Sequence, residues 1–223
     1  MSLRLHPLRA TLYLASYLVV GPVLFAVALA VLASSFALSI VVFGVPLLAG
    51  AAIVVRGCAG VERARARLFG ERVIGTYATL PDEGLLARLR ARWTDRATRR
   101  DVVYLIPLLL ILLPLDAVAL GLWVTVLAGV LLPAWYWAVP NGDYGPGLLL
   151  GHGSGAASFI VDDLGSALVA AVVFLLLAPF AALLLNTAAR VHAAAVRYFL
   201  GAYVDPLAEA KAILRGPGPL PSA

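Results

Sequence analysis

Residues 102–130 read VVYLIPLLLILLPLDAVALGLWVTVLAGV, a run whose one charged side chain is Asp116. A bilayer core about 30 Å thick is crossed by a helix of roughly 20 apolar residues. This run therefore predicts a membrane-spanning helix. Working outward, 11–33, 36–55 and 165–186 are apolar over comparable lengths. None of the four alternates apolar and polar residues as a barrel strand would, so the expected class is an all-α integral membrane protein.

Composition agrees. Of 223 residues, 62% are apolar and 13% charged, with mean hydropathy +0.97, whereas charged residues approach about 25% in soluble domains. The net charge of +5 does not read as a nucleic-acid footprint, because the arginines flank hydrophobic runs. All 17 lysines and arginines fall in 1–9, 56–100 or 190–215. By the positive-inside rule those segments are cytoplasmic. The turn at Ser34-Ser35 and the loop 131–164 are then external. Arg4, Arg9 and Ala28-Leu29-Ala30 could mimic a cleaved signal peptide, but the apolar run is too long for one. Cys58 is the single cysteine and forms no internal disulfide.

A shift of 91 residues lays Arg9, Tyr13, Leu14, Leu18, Leu24 and Ala26–Leu29 onto Arg100, Tyr104, Leu105, Leu109, Leu115 and Ala117–Leu120. The repeat predicts two tandem helical hairpins of one orientation, about 8–70 and 98–201. A cytoplasmic interfacial linker at about 71–97 joins them, and the four-span unit covers 1–201. The tail 202–223 ends in a Pro/Gly-rich stretch expected to be disordered. Tyr13 and Tyr104 suit headgroup anchors. Thr98 and Asp101 read as a capping box opening the third span. Pro107 and Pro114 should kink that span. In the linker, Leu85, Leu86, Leu89 and Trp93 share a face, with Arg88, Arg92, Arg96 and Arg99 turned away, as in a helix lying on anionic headgroups.

Asp116 is the one carboxylate well inside a span, a candidate for ligand or proton sensing, or else a hydrogen-bonded structural carboxyl. The external loop supplies Trp135, Tyr136, Trp137, Asp143, Tyr144, His152, Asp162 and Asp163. These suit an aromatic interfacial belt or a surface receiving a cationic or lipid-like ligand. Ser154 with His152 and Asp162 lacks any sign of triad geometry, and the same carboxylates lack metal-ligand spacing. No catalytic residue, metal or cofactor is expected. Arg63, Arg65, Arg67, Arg88, Arg92, Trp93, Arg96, Arg190 and Arg197 are expected at the inner membrane interface or against a partner.

The chain resembles the four-helix sensor domain found mainly in actinobacteria, often at the N-terminus of two-component histidine kinases. The resemblance rests on Pro22, Glu62-Arg63, Leu68-Phe69-Gly70, Asp95 to Leu105, Pro114-Leu115, Trp135-Tyr136-Trp137, Asp163-Leu164-Gly165, Pro179, Arg190 and Leu200-Gly201. Asp116 stands where that family usually has glycine. After Gly201 about 20 residues remain, too few for a kinase, so the resemblance implies a stand-alone sensory membrane module. It would relay an external or membrane-borne stimulus to a cytoplasmic kinase, regulator or larger membrane complex. A homo-oligomer is compatible, and nucleic acid is not an expected partner. The alternatives are a transport-associated subunit or a structural scaffold.

Overall fold

The computed structural model describes residues 6–38, 44–79, 84–139, 148–150 and 159–202. Six α-helices dominate them: α1 (Pro7–Leu38), α2 (Gly44–Ala66), α3 (Leu85–Thr94), α4 (Arg96–Leu105), α5 (Leu109–Val130) and α6 (Leu164–Leu200). A short antiparallel pair, β1 (Leu148–Leu150) with β2 (Phe159–Val161), lies between α5 and α6. Among the described residues, α1, α5 and α6 are long and apolar enough to cross a membrane. Their outward surfaces carry Val19 and Val23, Leu110 and Ile111, and Leu176 and Phe180. An apolar surface of that extent marks contact with lipid. In α2 the described helix carries an apolar stretch, residues 44–55, before Arg56 and the arginines after it.

Proline decides where the third run divides. Pro107 has no N–H, and its ring conflicts with the preceding turn. The chain leaves the helix at Ile106–Leu108, where Leu108 N–H reaches back to Val103 O at 3.2 Å. The expected single span 102–130 is thus α4 followed by α5, while Pro114 stays inside continuous helix. Pro22 and Pro179 are likewise inside α1 and α6.

Several local expectations change. Ser34 and Ser35 do not turn the chain: α1 continues to Leu38, because Phe36-Ala37-Leu38 prolong the apolar helix and the Ser35 hydroxyl donates to Leu47 O of α2 (3.3 Å). The cap before α4 is Asp95, whose carboxylate accepts from Ala97 N–H (3.2 Å), not a Thr98–Asp101 box. Trp93 and Arg92 both turn onto α2, with Trp93 Nε1 donating to Leu48 O and Arg92 to Ala49 O, each at 3.1 Å. The linker helix therefore spends its indole on protein, and Arg92 does not point away from it.

Helix directions follow from named contacts. Tyr13 meets Arg65 at one end of α1 and Ser35 meets Leu47 at the other, so α1 and α2 are antiparallel. His6 N–H donates to Asn186 (3.1 Å) and Tyr17 lies edge-on to His192 (4.3 Å), so α1 runs parallel to α6. Ala10 and Leu14 share a cluster with Ala119 and Leu120, whereas Leu24 lines one small gap with Leu105 and Leu109. Hence α1 is antiparallel to α5. Hairpins of like orientation would make them parallel, so the two pairs meet in opposite sense and overlap near Tyr17, Glu62 and His192.

Small residues allow that overlap. Ala181, Ala182, Leu185, Ala188, Ala189, His192, Ala193, Val196 and Leu200 form the buried stripe of α6, with the three- and four-residue steps of one helix face. Gly129 of α5 sits directly against the Phe174 ring. Beyond α5, Leu132, Val161, Ala167 and Ala170 close a small cluster with Trp135, Tyr136 and Leu148.

Candidate functional site

The overlap region encloses a hydrogen-bonded polar network. From α2, Glu62 and Arg65 stand three residues apart and face inward, which is where i,i+3 side chains meet. Arg65 holds Glu62 through both Nε and Nη2 (2.9 Å for Nη2 to Oε2). Its Nη1 donates to Tyr13 O (2.5 Å) and Ser16 Oγ (3.2 Å) on α1. Its guanidinium also lies over the rings of Tyr13 and Tyr17, at 4.3 and 4.7 Å from their centroids.

His192 of α6 is the meeting point. Its Nε2 lies 3.0 Å from Arg65 Nη2 and 3.0 Å from Tyr104 Oη, and its Nδ1 lies 2.5 Å from Asp116 Oδ2. A guanidinium can only donate, so the Nε2 facing it must accept. The proton therefore sits on Nδ1 and points to Asp116. Nε2 has a single lone pair, so Tyr104 donates instead to Glu62 Oε2 (3.1 Å). The rings of Tyr13 and Tyr17 stand edge-on to the imidazole, at 5.1 and 4.3 Å. Glu62, Asp116 and His192 are at most 1% exposed. Two buried atoms here, Tyr13 Oη and Asp116 Oδ1, have no hydrogen-bond partner, a cost that a rearranged packing could relieve.

A second layer ties the same helix to α4, the segment after α2 and the end of α6. Arg63 donates to Leu200 O (2.9 Å), Tyr77 Oη (2.6 Å) and Asp101 Oδ1 (3.1 Å), and Tyr77 donates to Asp101 Oδ2 (2.7 Å). Gly75 makes room for this, since a Cβ there would stand 2.5 Å from Arg63 Cζ. Burial pushes the Asp101 carboxyl up to about 6 despite Tyr77 and Arg63, and burial pushes the Tyr77 phenol up to about 12. Arg56, one further helix stretch along the same face, holds Asp95 (3.0 Å) and Thr98 (2.7 Å). Arg197 of α6 pairs with Glu71.

The residues singled out in the sequence fall into distinct places. Asp116 lies inside the network. Trp135 packs beneath β1 and β2 and donates to Ala128 O (3.0 Å), Tyr136 is half-buried, and Trp137 is exposed. Asp162 is exposed, and Asp163 caps α6 in a reciprocal box with Ser166 whose hydrogen bonds hold its carboxyl below the ordinary range. Asp143, Tyr144 and His152 lie outside the described residues, as does the tail from 203. Arg63 and Arg65, expected at the inner membrane interface or against a partner, are engaged inside the protein. Tyr13 and Tyr104, expected as headgroup anchors, are buried around His192. Arg67, Arg88, Arg96 and Arg197 are exposed, and Arg190 and Arg92 are half-buried.

Sequence reasoning passed over His192 and Tyr17, and quoted Glu62 only as part of the family resemblance. Signals existed: His192 stands among Ala188, Ala189, Ala193, Ala194 and Ala195, small residues that let other helices come close, and Glu62 is the single carboxylate of α2.

No metal-binding group of three or more histidine, cysteine or acidic residues occurs among the described residues. No curated protein sequence and no solved structure matches the chain. A family model described as "Putative sensor" matches residues 13–200, from the first buried tyrosine of the network to the last residue of α6, and the chain belongs to that family of sensor domains.

Proposed function

We propose that the chain is a non-catalytic signal-input module of the cell membrane that relays an external or membrane-borne stimulus to a separate cytoplasmic protein. The observation carrying this reading is the buried network that links α1, α2, α4, α5 and α6 through His192, Arg65, Glu62, Asp116 and Tyr104. In a low-dielectric interior a polar network is stable when satisfied and costly when half broken. Helices joined this way shift between discrete packings more readily than they deform by degrees. A stimulus acts by favouring one packing over another. Family membership supports the sensor role, and the confinement of lysine and arginine to three segments outside the apolar runs supports the membrane setting.

Adding a proton to His192 gives the network a specific response. Nε2–H would then face the Arg65 guanidinium, donor against donor at 3.0 Å, with Tyr104 Oη an acceptor at 3.0 Å. Arg65 must move, and with it α2 and its bond to Tyr13. The arginine-bearing ends of α2 and α6, joined through Arg63–Leu200 O and Arg197–Glu71, are positioned to pass that movement to a partner.

The test is co-purification of the full chain in mild detergent at pH 5 and pH 8, with bound proteins identified by mass spectrometry. A partner retained at one pH, with that dependence abolished in Asp116→Asn, is expected. Identical bound proteins at both pH values and in the variant would remove the proposal. Solute flux into liposomes containing this protein alone would point to transport instead.

A further inference from the structure

We propose that residues 71–79 form a strap that fastens the C-terminal end of α6 to α2 and opens as a unit while the helices stay folded, with Tyr77 as its latch. Gly70, at a φ of 95°, turns the chain away after α2. The segment that follows carries the β-branched residues Val73, Ile74, Thr76 and Thr79 around Gly75, a composition that disfavours helix. It forms neither helix nor strand. Val73 alone among these residues is buried, in the cluster that also holds Val196 and Leu200.

A segment with no backbone ladder of its own is held by single contacts, and three of them reach the end of α6. Ala202 N–H donates to Ile74 O (2.8 Å), and Arg197 pairs with Glu71. Arg63, which Tyr77 holds in place, donates to Leu200 O (2.9 Å). Leu200 O belongs to the last turn of α6, where carbonyls have no partner within the helix. The strap thus binds the backbone that leads directly into residues 203–223.

Tyr77 secures this arrangement through both its hydroxyl and its ring. The Oη accepts from Arg63 Nη2 (2.6 Å) and donates to Asp101 Oδ2 (2.7 Å). The ring faces the guanidinium groups of Arg56 and Arg63, at 4.3 and 5.3 Å from its centroid. Arg63 is hemmed in from the other side, since a Cβ on Gly75 would stand 2.5 Å from its Cζ. Hydrogen bonds to charged groups are the strong ones, so losing the phenol's two bonds loosens the whole strap. Ala119 and Leu120 of α5 pack in a separate cluster, and segments held by few buried contacts open at less cost than the helices between which they lie. The strap lies outside the His192 network, and its opening does not depend on the signalling reading.

Amide hydrogen exchange of the full chain in mild detergent, resolved to single residues by NMR, tests this. Glu71 N–H, bound to Ala66 O, and Ala202 N–H, bound to Ile74 O, mark the two joints of the strap. In the wild type they should report matching opening equilibria, both more open than Ala119 and Leu120 in α5. Tyr77→Phe keeps the ring and loses both Oη bonds, so exchange at Glu71 and Ala202 should rise at least about tenfold while Ala119 and Leu120 change less than about twofold. Gly75→Ala, which displaces Arg63, should act alike, and Thr76→Ala, at an exposed position, should leave exchange unchanged. In a Cys58→Ser background, cysteines at Ile74 and Ala202 joined by a short bifunctional reagent should cancel the effect of Tyr77→Phe. Wild-type exchange at Ala202 as slow as at Leu120, or unrelated opening at Glu71 and Ala202, would overturn the proposal. So would unchanged exchange in both Tyr77→Phe and Gly75→Ala, acceleration that survives the cross-link, or equal acceleration in α5, the mark of a general loss of stability.

Discussion

Replacing Arg65 with Met tests the buried network most directly. The guanidinium holds both oxygens of Glu62, Tyr13 O, Ser16 Oγ and His192 Nε2, and the side chains of the Arg65–Glu62 pair are 4% and 1% exposed. Removing one partner of a buried pair strands the other charge, a loss of about 3–5 kcal/mol. Glu62→Leu alone should cost a similar amount by stranding Arg65. The double variant removes both charges together. What it then lacks is chiefly the Tyr104–Glu62 hydrogen bond, worth about 1 kcal/mol, since Tyr104 can donate to the His192 Nε2 that Arg65 has vacated. The double variant should therefore be less destabilised than either single one, giving a coupling energy of several kcal/mol. Unfolding by increasing mole fraction of SDS in mixed micelles, followed by helical circular dichroism, measures all four proteins. If Arg65→Met costs below about 1 kcal/mol, or if the two single losses simply add in the double variant, the pair is not coupled and the reasoning fails.

Four other outcomes follow from particular contacts. Asp101 titrates at about 6 in the fold against 3.8 outside it, so between those values the folded chain holds the extra proton and stability falls as pH rises; the span corresponds to roughly 3 kcal/mol. Melting temperatures from pH 4 to 7 should show that decline in the wild type and lack it in Asp101→Asn. Gly129→Ala drives a methyl into the Phe174 ring, whereas Gly121→Ala meets open space; the first should lose about 1–3 kcal/mol by overpacking and the second almost nothing in the same detergent melt. Cysteines at Leu14 and Leu120, members of one apolar cluster, should be joined by a short bifunctional reagent, although like-oriented hairpins would hold them roughly 20 Å apart along the helix axis. Phe replacing His192 keeps a ring among Tyr13, Tyr17 and Tyr104 but leaves Asp116 without its partner, and helical content retained with a melt lowered by several degrees is the expected reading.

The helices themselves were legible because their causes are local. Long apolar runs read directly as α1, α5 and α6, and proline was expected to bend the third run, although Pro107 divides it and Pro114 stays inside α5. Asp116 stood out too, since a carboxylate within an apolar run calls for a partner, whether it senses or is a hydrogen-bonded structural group, and His192 is that partner. Elsewhere a local reading misled. Ser34 and Ser35 looked like a turn, but serine is compatible with helix when neighbours continue it, and Ser35 found an acceptor on α2. Tyr13 and Tyr104 had the position of surface anchors, yet their surroundings depended on which helix came to lie over them.

By itself, then, the sequence determined the helical class, the apolar lengths that suit a membrane and the segregation of its cationic segments, because backbone hydrogen bonding and hydropathy act over neighbouring residues. Only the tertiary structure decided that His192 would join Asp116, 76 positions away, to Arg65, 127 positions away. Such pairing depends on how each helix is directed and rotated against the others. Small residues permit several arrangements of that kind, and the one adopted is the one in which Glu62, Arg65, His192 and Asp116 all find partners.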